Sequence, residues 1–137
     1  MKNTIIDSGP LIALFDKDDK YHQKLLDFMN SFRGELITTW AVITEVTHML
    51  SFNIEVQLNF LKWLNLGAIT IYQIEQNELK NMIKMMKKYS DIPMDLADST
   101  LMYIAQKEGI KNIISIDSDF DIYRTIKKQS LTNLLYK

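Results

Sequence analysis

The chain has 137 residues, 47% hydrophobic and 24% charged, a balance that suits one compact domain with a real core and excludes a disordered chain. It contains no cysteine, which removes thiolate chemistry, disulfides and every Cys-containing zinc site, and a reducing cytoplasm is the expected compartment. A net charge of −1 argues against holding nucleic acid by bulk charge, and the early run "LIALF" is too short, and too soon followed by "DKDDK", for a signal peptide or membrane span.

In chain order, "NTIID" reads as a strand, "GPLIALF" and "DDKYHQKLLDFMNSF" as helices, "GELITT" as a second strand and "WAVITEVTHMLSF" as a helix. "IEVQLNFLKWLNLG" gives a helix ending at Gly67, "AITIYQI" a third strand, and "QNELKNMIKMMKKYS" a helix with Met82, Ile83 and Met86 inward. "IPMDLADSTLMYIAQKEG" reads as a helix with Pro93 near its first turn, followed by the strand "NIISID", a short helix from Phe120 and a last strand in "SLTNLLYK". This alternation predicts residues 1–137 as a single α/β domain, a three-layer α/β/α sandwich around a mainly parallel sheet of about five strands.

Four acids stand out. On the helix of residues 92–109, Met94, Ala97, Leu101, Met102, Ile104 and Ala105 form an apolar stripe, and Asp98 falls inside it. A buried carboxylate without a partner costs several kcal/mol, so its position calls for a cation, a retained proton or a specialised site. "NTIIDS" and "NIISIDS" each run an apolar strand into Asp and Ser, which would deliver Asp7 and Asp117 to one edge of a parallel sheet, where such sheets gather functional groups. Glu45 lies at the border of its helix, between an apolar side of Val42, Val46, Met49 and Leu50 and a polar side of Thr44, Thr47, His48 and Ser51.

The ordered set "IIDSGPLIALFD", "TTWAVITEV", "PMDLADSTLMYIA" and "IISIDSDF" resembles a PIN-domain ribonuclease, most closely the VapC-type toxins of bacterial toxin–antitoxin pairs. The similarity spans nearly the whole chain. It implies a parallel sheet flanked by helices and an acidic pocket holding Mg²⁺ or Mn²⁺ for RNA hydrolysis that leaves 5′-phosphate and 3′-hydroxyl ends. Carried over by motif, the catalytic and metal-holding acids are Asp7, Glu45, Asp98 and Asp117. Of lower rank are Asp95, placed to interact with its helix N-terminus, and Asp119, with Ser8 and Ser115 as groups that orient the site through hydrogen bonds. The resemblance also implies a homodimer and a small antitoxin that covers the pocket, offering an Arg or Lys to the carboxylates.

Other chemistries fit less well. His22 and His48 lie on helices away from the strand ends, no glycine-rich phosphate loop is present, and Gly9 stands where an aspartate-nucleophile phosphatase wants its second acid. The cations at Lys80, Lys84, Lys87 and Lys88, and at Arg124, Lys127 and Lys128, read as solvated faces. Leu96 and Tyr103 lie opposite the core stripe and are the expected dimer contact. The alternative function is a non-catalytic PIN-like module that binds RNA or protein.

Overall fold

A computed structural model describes residues 3–136. Among these, five strands form one sheet: β1 (Asn3–Ile6), β2 (Glu35–Thr38), β3 (Thr70–Ile71), β4 (Asn112–Ile114) and β5 (Thr132–Asn133). Six α-helices accompany them: α1 (Ser8–Phe15), α2 (His22–Ser31), α3 (Trp40–Met49), α4 (Ile54–Asn65), α5 (Leu79–Lys88) and α6 (Leu96–Glu108). The strand order is β3-β2-β1-β4-β5 and every pairing is parallel. Consecutive residues of the central strands are buried, Thr4 to Ile6 in β1 and Leu36 to Thr38 in β2, so both faces of the sheet are covered, as the predicted α/β/α layering requires.

The order of connections reverses at β1. The chain moves outward from β1 to β2 and β3, then crosses back to place β4 on the other side of β1. Such a switch point opens a crevice beyond the carboxyl ends of the two strands it separates, and there β1 gives way to Asp7 while β4 runs towards Asp117. Local chemistry fixes the helices around it. The Thr39 hydroxyl caps α3 by accepting from the Val42 N–H, and Asn53 caps α4 by accepting from the Glu55 N–H. Gly67 and Gly109 take positive φ, +88° and +68°, just past the ends of α4 and α6.

Several expected details differ. The helix carrying Asp98 begins at Leu96, with Asp95 as its N-cap, so Pro93 lies before the helix rather than in its first turn. The third strand is two residues long and forms one edge of the sheet, and the last predicted helix is a four-residue 3₁₀ turn, Ser118–Asp121. In α5 the buried pair is Met82 and Met85, while Ile83 is 54% exposed; in α3 Ile43 is buried and Met49 is 55% exposed. Helix α6 is buried on all sides from Ala97 to Ala105, so it carries no one-sided stripe. Tyr103 accordingly is not a surface residue: its ring is buried and its hydroxyl donates to Glu78 Oε1 at 2.6 Å.

Candidate functional site

The crevice at the switch point is an open pocket of about 420 Å³, lined by Asp7, Ser8, Gly9, Glu45, Pro93, Asp95, Asp98, Ile116, Asp117 and Asp119. Six of these ten residues are acids, and none is basic. All four acids of first rank reach this wall, from four separate segments of the chain. Asp7 arrives at the end of β1, where its N–H still donates to the Ile114 carbonyl at 3.1 Å and so extends the β1–β4 pairing to the pocket. Asp117 caps the 3₁₀ turn after β4, its Oδ1 accepting from the Asp119 N–H at 2.9 Å. Asp98 sits in the first turn of α6, anchored by its N–H to Asp95 Oδ1 at 2.8 Å.

One carboxylate oxygen from each of Asp7, Asp98 and Asp117 lies within 4.8 Å of the other two. Glu45 lines the same pocket from α3, half-buried and outside this tight group. Ser115 ties two of the acids together: its buried hydroxyl donates to Asp7 Oδ2 at 3.2 Å and accepts from the Asp117 N–H at 3.0 Å. Ser8 and Asp119 stand on the pocket wall, and the Asp95 carboxylate is engaged in capping α6. His22 lies elsewhere, its Nδ1 2.7 Å from the Ala13 carbonyl, and His48 is exposed on α3 beside an adjoining apolar groove.

The electrostatics are those of acids crowded together with no basic residue on the pocket wall. Asp7 is 4% exposed and is pushed up to about 7, mainly by burial, with the charge of Asp117 and, more weakly, Glu45 adding to the shift. Asp98, 8% exposed, rises to about 8 through burial and then through the charges of Asp7, Asp95, Asp117 and Glu45. Asp7 and Asp98 repel each other across the pocket, so the cluster loses its protons in steps that belong to the group rather than to either residue.

Asp7 Oδ1 is buried and has no hydrogen-bond partner among the described residues, a rare condition for a polar atom in a folded interior. A cation would satisfy it. No ammonium or guanidinium fills that role: the one ion pair within 4 Å among the described residues joins Lys107 to Glu78, outside the pocket lining. Converging carboxylate oxygens suit a hard divalent ion, so Asp7, Asp98 and Asp117 are fitted to hold one.

Reading the sequence did not single out Tyr123. Its hydroxyl lies 3.5 Å from Asp98 Oδ2, across 25 positions of sequence, and nothing in the "DIYRT" context marks it.

No protein-family model matches the chain. The ribonuclease VapC26 of Mycobacterium tuberculosis is 23% identical over 115 residues, covering 82% of this chain and 85% of the relative. Among solved structures, VapC20 of Mycobacterium tuberculosis, described as a toxin that cleaves the sarcin–ricin loop, superposes with a TM-score of 0.78 at 16% identity, covering 87% of this chain and 93% of that one. A chain of VapBC2 from Rickettsia felis, solved bound to a DNA fragment from their promoter, gives a TM-score of 0.66 at 12% identity, covering 96% and 98%.

Proposed function

We propose that this chain, which has the PIN fold of VapC proteins, is a metal-dependent endoribonuclease and the toxin of a toxin–antitoxin pair. The observation that carries the reading is the convergence of Asp7, Asp98 and Asp117 within 4.8 Å, with a buried, unpartnered oxygen on Asp7. A non-catalytic binding module would have no use for so strained a cluster, since three unpaired carboxylates weaken a fold unless something binds between them.

Asp7, Asp98 and Asp117 would hold Mg²⁺ or Mn²⁺ through oxygen ligands. When bound, the ion supplies positive charge that reverses the sign of the pocket, draws in a phosphodiester and makes water acidic enough to attack it. The chain's own contribution is position. Ser115 fixes Asp7 and the start of the Asp117 turn in one hydrogen-bonded unit, and the Asp95 cap sets the first turn of α6 and thereby Asp98. Glu45, on the wall but outside the cluster, would orient a water or accept its proton. Asp119 and Ser8 line the same pocket, and the Asp119 N–H holds the Asp117 carboxylate.

RNA is the substrate in this reading, and the antitoxin is a small protein that lays a segment over the acidic pocket and offers it a cation. The protein acts in the cytoplasm as a homodimer; Leu96, 47% exposed beside the groove formed with Ala41 and Ala97, contributes to the contact without Tyr103. No helix of the described residues is long and apolar enough to cross a membrane. The test is incubation of purified protein with total RNA in Mg²⁺ or Mn²⁺, in parallel with chelator, followed by end mapping. Cleavage that needs metal and leaves 5′-phosphate ends is expected; equal cleavage in chelator would refute the mechanism.

A further inference from the structure

We propose that Tyr123 is a positioning residue for Asp98, its buried hydroxyl aiming the carboxylate into the pocket; the inference rests on the metal-site reading above. Tyr123 is fully buried, and its hydroxyl has two acceptors within reach, Asp98 Oδ2 at 3.5 Å and the Pro93 carbonyl at 3.4 Å. Among the described residues no other group donates to the Asp98 carboxylate, so this hydroxyl is the one donor in reach to orient it. A hydroxyl has one proton, and an ionised carboxylate is a stronger acceptor than a peptide carbonyl. The Asp98 carboxylate is the stronger of the two acceptors in reach.

The ring cannot swing away. Tyr89 meets it edge-on with centroids 5.0 Å apart, and Phe120 does so from the 3₁₀ turn at 5.3 Å. Tyr89 is itself pinned, accepting from the Arg124 N–H at 2.7 Å and donating to the Arg124 carbonyl at 3.4 Å. Phenylalanine would fill the same aromatic stack without burying a polar atom, so packing does not account for the hydroxyl. Its placement joins the turn that presents Asp117 and Asp119 to the helix that presents Asp98, and sets their spacing.

The test compares Tyr123→Phe with Tyr89→Phe, which keeps the aromatic stack but loses the hydrogen bonds to Arg124. Mn²⁺ affinity is measured by calorimetry, melting is followed in chelator, and RNA cleavage is resolved into kcat and KM. Tyr123→Phe is expected to melt near wild type in chelator, to bind Mn²⁺ about tenfold more weakly, and to lower kcat with KM unchanged. Tyr89→Phe should melt lower and bind Mn²⁺ as wild type does. Wild-type Mn²⁺ affinity in Tyr123→Phe, a large loss of its stability in chelator, or equal weakening by Tyr89→Phe would each overturn the proposal. A wild-type protein that binds Mn²⁺ but cleaves no RNA would sink the nuclease reading and leave the affinity comparison standing; one that binds no divalent ion overturns both.

Discussion

Replacing Asp98 by asparagine separates a metal site from an ordinary buried acid without any substrate. A carboxylate paired with Lys or Arg would leave a stranded cation on removal, at a cost of about 3 to 5 kcal/mol. Among the described residues Asp98 has no such partner; its carboxylate meets the Tyr123 hydroxyl and other acids. Its folded-state pKa, about 8 against the usual 3.8, means that the metal-free fold keeps a proton that the unfolded chain releases. Stability from this group is therefore complete below about pH 4 and drains away as pH climbs through 8. At 1.36 kcal/mol per unit the loss approaches about 4 kcal/mol by pH 7, and solvent in the open pocket screens it to about 1–2 kcal/mol. Asp98→Asn should recover that amount, raising the melting temperature in chelator at pH 7 by about 3–8 °C, with little difference at pH 4. Mn²⁺ at about 100 times its dissociation constant should stabilise wild type by about 2.7 kcal/mol and the variant by much less. Calorimetric melts at both pH values, with chelator and then with Mn²⁺, read all four quantities. A variant that melts well below wild type in chelator, or gains as much from Mn²⁺, would contradict the reasoning.

Three further outcomes are expected. Asp7→Asn, Glu45→Gln, Asp98→Asn and Asp117→Asn should each cut RNA cleavage by about 10²-fold or more with the fold retained by circular dichroism, because a ligand displaced by about 1 Å misplaces the reacting groups; Asp95→Asn, which preserves a capping side chain, should be milder. Ser115→Ala strands the Asp117 N–H and frees Asp7, so it should lower stability by about 1–3 kcal/mol in denaturant titrations and weaken Mn²⁺ binding about tenfold. Glu78 is held down to about 2 by hydrogen bonds from Lys107 and Tyr103, so its contribution runs opposite to that of Asp98: Glu78→Gln should melt below wild type at neutral pH, with the gap closing as pH falls towards 2.

Asp7, Asp98 and Asp117 were legible for physical reasons particular to each. Asp7 and Asp117 follow apolar runs that fold as neighbouring parallel strands, and parallel neighbours deliver their carboxyl ends to one edge. Asp98 could be noticed because an acid among Ala97, Leu101 and Met102 contradicts its surroundings, and the fold keeps that contradiction buried. Periodicity was weakest where apolar residues crowd. In "NMIKMMKK" several inward faces are compatible with the pattern, and the fold chose Met82 with Met85 over Ile83. Tyr103 was misread because amphipathic reasoning treats a tyrosine opposite the core stripe as exposed, whereas α6 is enclosed on all sides and Glu78 receives the hydroxyl.

The unread part of the site is the part that depends on distance across the chain. Asp7 Oδ1 lacks a partner, Ser115 bonds to a residue 108 positions away and Tyr123 reaches Asp98 across 25, and none of these relations leaves a local pattern. Local patterns report what a residue must do for its own helix or strand, and a residue that violates them marks a site. Residues that satisfy them, as Ser115 ends a strand and Tyr123 fills an aromatic stack, can hold the site in place without showing it. The acids that would hold the ion were therefore visible in sequence, and the groups that would hold the acids required the fold.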